Sequence, residues 1–302
     1  MSRFCVAGSI NMDLVTSAPE FPRPGETIKG SGFATFTGGK GANQAVALAK
    51  LGADTAMIGK TGNDVYADEY LRWFKELNVD TAGVKKEDTS TGIAVITVDK
   101  SGENSIIIVA GANGLVDAKY IRQNGNIIKN AGFLLLQLEV PVEAVTEAAI
   151  TAAENGTVVI LDPAPASPVP DELLKHTDII TPNETEAEAL TGVKPKDEAG
   201  FAEAGRILTS RGVKTAVMKA GKDGAYIYQN GQLTHVAGFK VNSVDTTAAG
   251  DTFNAGLAYA LGEKMPLFDA VRFANAAGAI STTKKGAQSG MPSLAEVKAL
   301  LG

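Results

Sequence analysis

Residues 243–256 read SVDTTAAGDTFNAG and place a carboxylate among small residues. Small residues that lead into a helix leave backbone N–H groups free, and the positive end of the helix dipole favours an anion there. Asp251 stands at the same spot, and as a single residue it is most simply read as a helix cap. The alternative is catalytic, with a phosphoryl group on the N–H groups of residues 249–251 and the carboxylate taking a proton from an attacking hydroxyl.

A second segment, TGGKGANQAVALAKLG at residues 37–52, contains glycines and donor side chains before an amphipathic helix. The glycines permit close approach of a ligand, while Lys40 and Asn43 supply hydrogen-bond donors. Alternatively, the segment is a flexible turn with an Asn near the helix start. It lacks the G-x-x-x-x-G-K-[ST] pattern of a P-loop, and no G-x-G-x-x-G follows the first predicted strand, which argues against a nicotinamide-dependent oxidoreductase.

A third segment, TPNETEAEALTG at residues 181–192, concentrates acidic residues at a predicted helix start. The helix dipole alone favours such residues in a first turn. Asn183 and Glu186, however, are three residues apart and share one helix face. They are also suited to hold waters on a Mg²⁺ ion carried by nucleotide phosphates, because Mg²⁺ keeps several waters and needs few protein ligands.

Asn11, Asp13 and Glu139 follow predicted strands, where ligands gather in parallel sheets. Singly, each is an ordinary solvated loop residue. Together they form a set of hydroxyl-binding groups that suits a polyol such as a sugar. His176 and His235 have no partner at metal-ligand spacing and are interpreted as surface residues.

The secondary structure that would position these residues can be predicted from the sequence, because apolar runs alternate with Ala- and Glu-rich stretches. The predicted strands lie within 131–139, 157–162, 177–181 and 213–219, and the predicted helices within 142–154 and 197–211. Such alternation predicts an α/β fold, a doubly wound and mostly parallel sheet with helices on both faces.

Two segments interrupt the alternation, 13–37 and 91–110. The second contains two β-branched runs joined by a Gly-containing turn, which is typical of a hairpin. We expect the two segments to form a small β lid, with residues 1–12, 38–90 and 111–302 forming the nucleotide- and sugar-binding domain. The alternative is that the hairpin extends the main sheet.

Composition limits the function classes. The 302 residues are 44% hydrophobic and 21% charged, as in ordinary globular proteins. A net charge of −6 without basic runs argues against nucleic-acid binding. The apolar runs are too short to span a membrane and no N-terminal targeting pattern is visible, so the cytoplasm is the expected location. Cys5 lies in an apolar run and is expected to be a buried strand residue.

Four ordered motifs carry a family likeness: GGKGANQAVALAKLGA, PAPA, TPNETEAEALTG and VDTTAAGDTFNAG. The chain resembles the ribokinase-like sugar kinases, and the likeness runs from GSINMD near one end to KKGAQSGMP near the other. The resemblance implies a doubly wound α/β domain, a β lid that often forms a homodimer contact, and ATP-dependent phosphorylation of the 5-hydroxyl of ribose. A 2-deoxyribose kinase, or another pentose or nucleoside kinase of the family, is the alternative.

The resemblance also implies roles for individual residues. Asp251 would be the general base, with the N–H groups of Ala248, Ala249, Gly250 and Asp251 as the anion hole. The sugar would be bound by Asn11, Asp13, Gly39, Lys40, Gly41, Asn43 and Glu139. ATP would lie along Asn183, Glu186, Lys219, Gly221, Gly224, Gly250 and Asn275, with Mg²⁺ held by Glu186 through water. An activating K⁺ ion would lie near Asp245, Thr247, Ser281, Lys284, Gly286 and Gly290, mostly on main-chain carbonyls.

Three positions bear on these expectations. Gly290 stands where the family pattern has a serine, so one cation ligand is reduced to a carbonyl. Asn275 replaces a histidine near the adenine, but an amide still hydrogen-bonds a base or ribose. Met12 would suit a sugar that lacks the 2-hydroxyl if it faced the sugar, and says nothing if it is buried in the core. A sugar-sensing protein without turnover is a further alternative, which the AAGD sequence disfavours because a binder needs no base.

Overall fold

The computed structural model describes residues 2–302, which form two β-sheets and twelve α-helices. The strands are β1 Arg3–Ala7, β2 Asn11–Ser17, β3 Gly32–Gly38, β4 Asp54–Thr61, β5 Asp80–Lys86, β6 Gly92–Val98, β7 Asn104–Val109, β8 Phe133–Leu136, β9 Val158–Leu161, β10 Ile179–Ile180, β11 Thr215–Lys219, β12 Gly224–Gln229 and β13 Gln232–Ala237. The helices are α1 Lys40–Lys50, α2 Val65–Glu76, α3 Ala118–Gln123, α4 Gly125–Lys129, α5 Val142–Glu154, α6 Asp171–Lys175, α7 Glu184–Thr191, α8 Glu198–Ser210, α9 Ala249–Gly262, α10 Leu267–Ser281, α11 Ala287–Gly290 and α12 Leu294–Leu301.

The larger sheet has nine strands in the order β13-β12-β11-β10-β9-β8-β1-β4-β5. Its strands are parallel from β11 to β5, and β12 and β13 add an antiparallel edge. The predicted mostly parallel, doubly wound sheet is confirmed. Each of the four apolar runs contains one of its strands, and the two Ala- and Glu-rich stretches contain α5 and α8.

Helices cover both faces of this sheet, and the alternation of side chains along a strand feeds two separate cores. In β8, Leu135 belongs to one apolar cluster while Leu134 and Leu136 belong to the other. The first cluster includes residues of α1, α9 and α10, and the second includes residues of α5 and α8. Cys5 is buried in the second cluster, and burial raises the pKa of its thiol to about 12, as expected of an inert core residue.

The smaller sheet has four strands in the order β3-β2-β6-β7. The hairpin therefore pairs with β2 rather than extending the large sheet, and the alternative placement is wrong. β2 begins at Asn11 and β3 ends at Gly38, slightly beyond the expected limits of 13–37, whereas β6 and β7 lie within the expected 91–110. Its apolar side chains Phe33, Ile106, Ile107 and Ile108 are exposed.

Within residues 2–302, every helix is either too short or too polar to cross a lipid bilayer.

Candidate active site

The candidate site lies at the topological switch point of the large sheet. The chain leaves β1 toward β4 on one side, whereas β8 pairs with β1 on the other side. A crevice forms at the carboxyl ends of two such strands, and ligands of open α/β sheets bind there. Ser9 and Glu139 follow β1 and β8, and the Ser9 hydroxyl donates to Glu139 Oε2 at 2.5 Å.

The start of α1 is pressed against the loop that follows β1, and glycine makes this possible. Gly39 has a φ of 87°, and a Cβ there would lie 2.6 Å from the Asn11 nitrogen. A Cβ on Gly41 would lie 2.7 Å from the Ser9 nitrogen. Any larger residue would push the loop away. The close approach lets the Lys40 N–H donate to Glu139 Oε2 at 3.0 Å, which brings two predicted sugar-binding residues together.

The start of α9 has no side-chain cap, contrary to the simplest reading of Asp251. The N-cap residue is Ala248, in the left-handed region with a φ of 59°, and no side chain accepts from the first turn. The Ala249 N–H donates to Thr246 O at 3.2 Å, so this part of the expected anion hole is already occupied by a turn. The uncapped N-terminus thus centres on the N–H groups of Gly250 and Asp251.

The Asp251 carboxylate turns away from its own helix and toward α1. It is 4% exposed, and its Oδ2 accepts a 2.9 Å hydrogen bond from Asn43 Nδ2. Burial raises the pKa of Asp251 to about 6, with Asp162 and Glu139 acting in the same direction, while Lys40 and Asn43 oppose the rise. A carboxylate with this pKa is ionised at neutral pH and is a competent proton acceptor.

The expected sugar-binding residues include a cluster of charged side chains that influence one another. Burial, followed by the charges of Glu139 and Asp251, raises the pKa of Asp13 to about 7. Burial lowers the pKa of Lys40, but carboxylates, Asp251 foremost, outweigh it and raise the pKa overall. Lys40 is therefore a permanent cation among acidic groups. Gly38 makes room for Asp13, because a Cβ there would lie 2.4 Å from the carboxylate.

Asn113 belongs to the site although sequence reasoning missed it. Its Nδ2 donates to Asn11 Oδ1 at 2.6 Å, and its Oδ1 accepts from the Ile10 N–H at 2.9 Å. The Asn11 oxygen is therefore engaged, and its amide nitrogen is left to serve a ligand. Asn113 comes just after β7, more than 100 positions from Asn11, and no local pattern indicates that pairing.

Asn183 and Glu186 face each other at the start of α7 as a capping box. Asn183 Oδ1 accepts from the Glu186 N–H at 2.8 Å, and Glu186 Oε2 accepts from the Asn183 N–H at 2.8 Å. Burial raises the pKa of Glu186, which Lys219 partly offsets. Each carboxylate oxygen has a second lone pair for a water, so the capping role leaves room for a water-bridged ion.

Lys219 connects this helix with the start of α9. Its Nζ lies 2.9 Å from Asp162 Oδ1 and 3.9 Å from Glu186 Oε2. A Cβ added to Gly250 would lie 3.4 Å from the same Nζ. A largely enclosed ammonium group, whose side chain is 13% exposed, thus lies beside the uncapped N–H groups. Among residues 2–302 no group of three or more His, Cys, Asp or Glu side chains is arranged to hold a metal directly.

The expected nucleotide residues farther along the sheet lie around β12 and β13. Gly221 and Gly224 have φ values of 53° and 100°, and a Cβ on Gly224 would lie 2.2 Å from Val236 O. Asn275 Nδ2 donates to the carbonyl oxygens of Val236 and Ala237. Both amide hydrogens of Asn275 are thus used within the protein, which leaves its oxygen as an acceptor.

Four of the expected cation residues, Ser281, Lys284, Gly286 and Gly290, lie between the end of α10 and the end of α11. A Cβ on Gly290 would lie 2.5 Å from Ser281 O and 3.5 Å from Lys284 O, so two carbonyl oxygens lie close to this position. Asp245 accepts from the Gly286 N–H at 2.8 Å. Burial raises the pKa of Asp245, but hydrogen bonds from Thr247 and Gly286 outweigh it and lower the pKa overall.

Gln288, also missed from the sequence, connects this loop to the rest of the site. Its Nε2 donates to Asn43 Oδ1 at 3.0 Å and to the Tyr70 hydroxyl at 2.7 Å. Its Oε1 accepts from Thr37 at 2.8 Å and from Trp73 at 2.8 Å. Gln288 thereby orients the Asn43 amide so that its nitrogen faces Asp251.

Comparison with known proteins identifies the family. The model of the pfkB family of carbohydrate kinases matches residues 1–294, and the chain belongs to this family. The chain is 45% identical to the ribokinase of Haemophilus influenzae over 96% of this chain and 95% of that protein. It is 37% identical to a deoxyribokinase of Salmonella typhi over 96% of this chain and 95% of that protein.

The fold agrees with a solved structure. The ribokinase of Arabidopsis thaliana, complexed with ribose and ATP, superposes with a TM-score of 0.95 at 34% identity, covering 99% of this chain and 98% of that one. The family predicted from the four motifs is therefore confirmed, and the protein is a carbohydrate kinase.

Proposed function

We propose that this protein transfers the γ-phosphoryl group of ATP to the 5-hydroxyl of D-ribose, with Asp251 as the general base. One observation carries the proposal: a buried, ionisable carboxylate stands at an uncapped helix N-terminus and points away from the helix's own N–H groups. An anion site and a proton acceptor thus lie side by side. The ribose preference is supported by the Haemophilus influenzae and Arabidopsis thaliana ribokinases described above.

In the proposed reaction the 5-hydroxyl of the sugar attacks the γ-phosphorus and gives its proton to Asp251. The new O–P bond forms as the bond between the γ-phosphorus and the ADP oxygen breaks. The N–H groups of Gly250 and Asp251, with the ammonium group of Lys219 beside them, stabilise charge on the transferring group. Mg²⁺, when bound, neutralises phosphate charge, and Glu186 would hold it through water.

The sugar would be held by groups that the fold directs into the crevice. Asp13, Glu139 and Asn43 offer oxygen or nitrogen atoms for hydroxyls, and Asn11 offers its amide nitrogen. Lys40 supplies a cation that the surrounding carboxylates keep protonated. A cluster of hydrogen-bond acceptors and donors suits a polyhydroxylated ligand.

K⁺ is proposed as an activating ion at the loop around Gly290. The carbonyl oxygens of Ser281 and Lys284 converge there, near the C-terminus of α10, where a helix favours cations. Glycine at position 290 fits this arrangement, since the Cβ of a serine there would collide with Ser281 O in this backbone. The residues present therefore fit an ion held by main-chain oxygens.

A homodimer through the lid is proposed as the assembly. The exposed side chains of Phe33, Val95 and Ile107 form an apolar patch on one face of the small sheet, whereas Ile106 and Ile108 lie on the opposite face. Contiguous apolar surface of this kind marks an interaction site in soluble proteins. A second copy of the lid has the same apolar face and would cover it.

A 2-deoxyribose kinase is the second candidate, because the Salmonella typhi deoxyribokinase is also a full-length relative. Met12, whose orientation bears on that substrate, is 0% exposed and belongs to the main apolar cluster. It therefore lends no support to a pocket for a sugar without the 2-hydroxyl.

The test measures ADP release from MgATP with D-ribose and with 2-deoxy-D-ribose, each with K⁺ and with tetramethylammonium in its place. The proposal predicts the higher kcat/KM on D-ribose and a lower rate without K⁺. A preference for 2-deoxy-D-ribose would show that the proposed substrate is wrong. Equal rates in both salts would rule out activation by K⁺. Substoichiometric ADP would indicate a sugar sensor.

A further inference from the structure

Gln44 is a fully buried side chain that joins two carboxylates. It neighbours Asn43 in α1 and is 1% exposed. Its Nε2 donates to Asp251 Oδ1 at 3.3 Å and to Asp162 Oδ2 at 3.2 Å. An amide nitrogen carries two hydrogens, so each carboxylate receives one. The two acids, which would otherwise repel each other in a buried setting, share one donor group.

The orientation of the Gln44 amide is fixed from behind. Gln137, one residue beyond β8, donates from Nε2 to Gln44 Oε1 at 2.6 Å. A reversed Gln44 amide would turn its oxygen toward two carboxylates and its nitrogen toward a donor, which loses every hydrogen bond in the group. Gly8 leaves the room that Gln137 needs, because a Cβ there would lie 2.0 Å from Gln137 Oε1.

The far end of this arrangement reaches the phosphate side of the site. Asp162 is 2% exposed and uses its other oxygen, Oδ1, to hold Lys219 Nζ at 2.9 Å. A continuous path therefore runs from Asp251 through Gln44 and Asp162 to Lys219. Its two ends flank the start of α9, where the phosphoryl group would be transferred.

We propose that Gln44 is a positioning residue that fixes the general base and the phosphate-side lysine relative to each other, an inference that rests on the proposed kinase function. Asn43 holds one oxygen of Asp251 and Gln44 holds the other, so both are needed to keep the carboxylate from rotating. Without the amide, Asp251 and Asp162 repel each other and both ends of the path shift.

The test compares Gln44→Met, which keeps the approximate length but removes both donors, with the wild type. A hydrogen bond to a charged group is worth enough to predict a fall in kcat of about 10- to 100-fold. The KM values for sugar and ATP should stay within about threefold, because Gln44 is fully buried and its amide contacts only protein side chains. Gln229→Met, which removes a glutamine hydrogen bond to Thr215 far from the site, should change neither parameter.

The pH profile gives a readout that loss of packing alone would not move. Hydrogen bonds to a carboxylate lower its pKa, so Gln44→Met should shift the acidic limb of kcat/KM to higher pH. Adding Asp162→Asn should move the limb back, because it removes the repelling charge. The charged groups around Asp251 also include Lys40, Glu139 and Asp13, which are unchanged in all variants.

A wild-type kcat with an unmoved acidic limb in Gln44→Met would overturn the proposal. If that variant does not fold, Gln137→Met leaves the two donors in place but frees the amide to turn, and an unchanged kcat would equally overturn it. All ratios are measured with the best sugar that the wild type phosphorylates. Absence of any wild-type turnover would instead count against the proposed function.

Discussion

Replacing Asp251 by Asn is predicted to abolish turnover and yet to stabilise the folded protein at alkaline pH. In the folded state burial raises the pKa of this carboxyl from 3.8 to about 6. The folded protein therefore binds the proton more tightly than the unfolded chain. We compare the wild type with a variant that has a neutral side chain at position 251. The wild type keeps its full stability below the pKa of the unfolded chain, and it loses stability as the pH rises from about 3.8 to about 6.

The size of the change in the free energy of unfolding follows from the difference between the folded and unfolded pKa values. About two pKa units correspond to ~3 kcal/mol of cost for the charged form above pH 7. Asn at position 251 removes that charge. Its NH₂ group, however, replaces one of the two carboxylate oxygens and faces the donor group of Asn43 or Gln44. The hydrogen bond lost there costs ~1–2 kcal/mol. The variant should thus be more stable than the wild type by ~1 kcal/mol at pH 8, and less stable by a similar amount at pH 4.5.

Urea denaturation at pH 4.5 and pH 8 measures both free energies of unfolding. The difference between variant and wild type should change by ~2 kcal/mol between the two pH values, with the variant gaining as pH rises. Charges that do not interact with Asp251 cancel in this difference. A variant that is equally destabilised at both pH values would refute the reasoning, because Asp251 would then not be a strained, buried charge.

Three further predictions concern other parts of the site. Gly39→Ala should lower kcat/KM for the sugar at least about tenfold, since the added Cβ would meet Asn11. The control is Gly52→Ala, where φ is similarly positive but the added Cβ meets open space. This variant should leave the kinetics unchanged and affect only Tm. In titration calorimetry, sugar binding by the wild type should strengthen as the pH rises through about 7, the pKa of Asp13. Asp13→Asn should weaken binding and remove this pH dependence. A pH dependence that survives in the variant would exclude Asp13 as its source. Ile107→Lys should convert a dimer to a monomer in sedimentation velocity, whereas Val65→Lys, an equally exposed apolar position on α2, should not; a monomeric wild type would contradict the lid interface.

The fold was predictable because its signals are local. Apolar runs such as FLLL at residues 133–136 alternate with helical stretches, and both periodicities survive in the folded chain. The hairpin was equally visible, but its partner was not, because strand pairing between β2 and β6 depends on contacts some 80 positions apart. The first lid segment reaches a residue or two beyond its expected limits, because Asn11 pairs with Gly38 in the ladder between β2 and β3.

The residues of the candidate site could be proposed from sequence only where a suitable residue type lies in a recognisable motif. Asp251 and Lys40 stand in motifs whose glycines and small residues indicate close ligand approach. Asn113, Gln44 and Gln288 act through amides that hold other side chains, and an amide in a helix or turn has no sequence pattern that distinguishes this role. The cap interpretation of Asp251 was wrong because a tertiary partner, Asn43, binds its carboxylate more directly than its own helix does.

The central claim is that this protein phosphorylates the primary hydroxyl of ribose with Asp251 as base. The most direct measurement is ³¹P NMR of the product formed from MgATP and D-ribose by the wild type and by Asp251→Asn. The account predicts a phosphomonoester signal split by the two protons of the C5 methylene group, which marks the 5-position, and no such signal from the variant over the same time. A signal split by a single proton, or equal product formation by the variant, would contradict it.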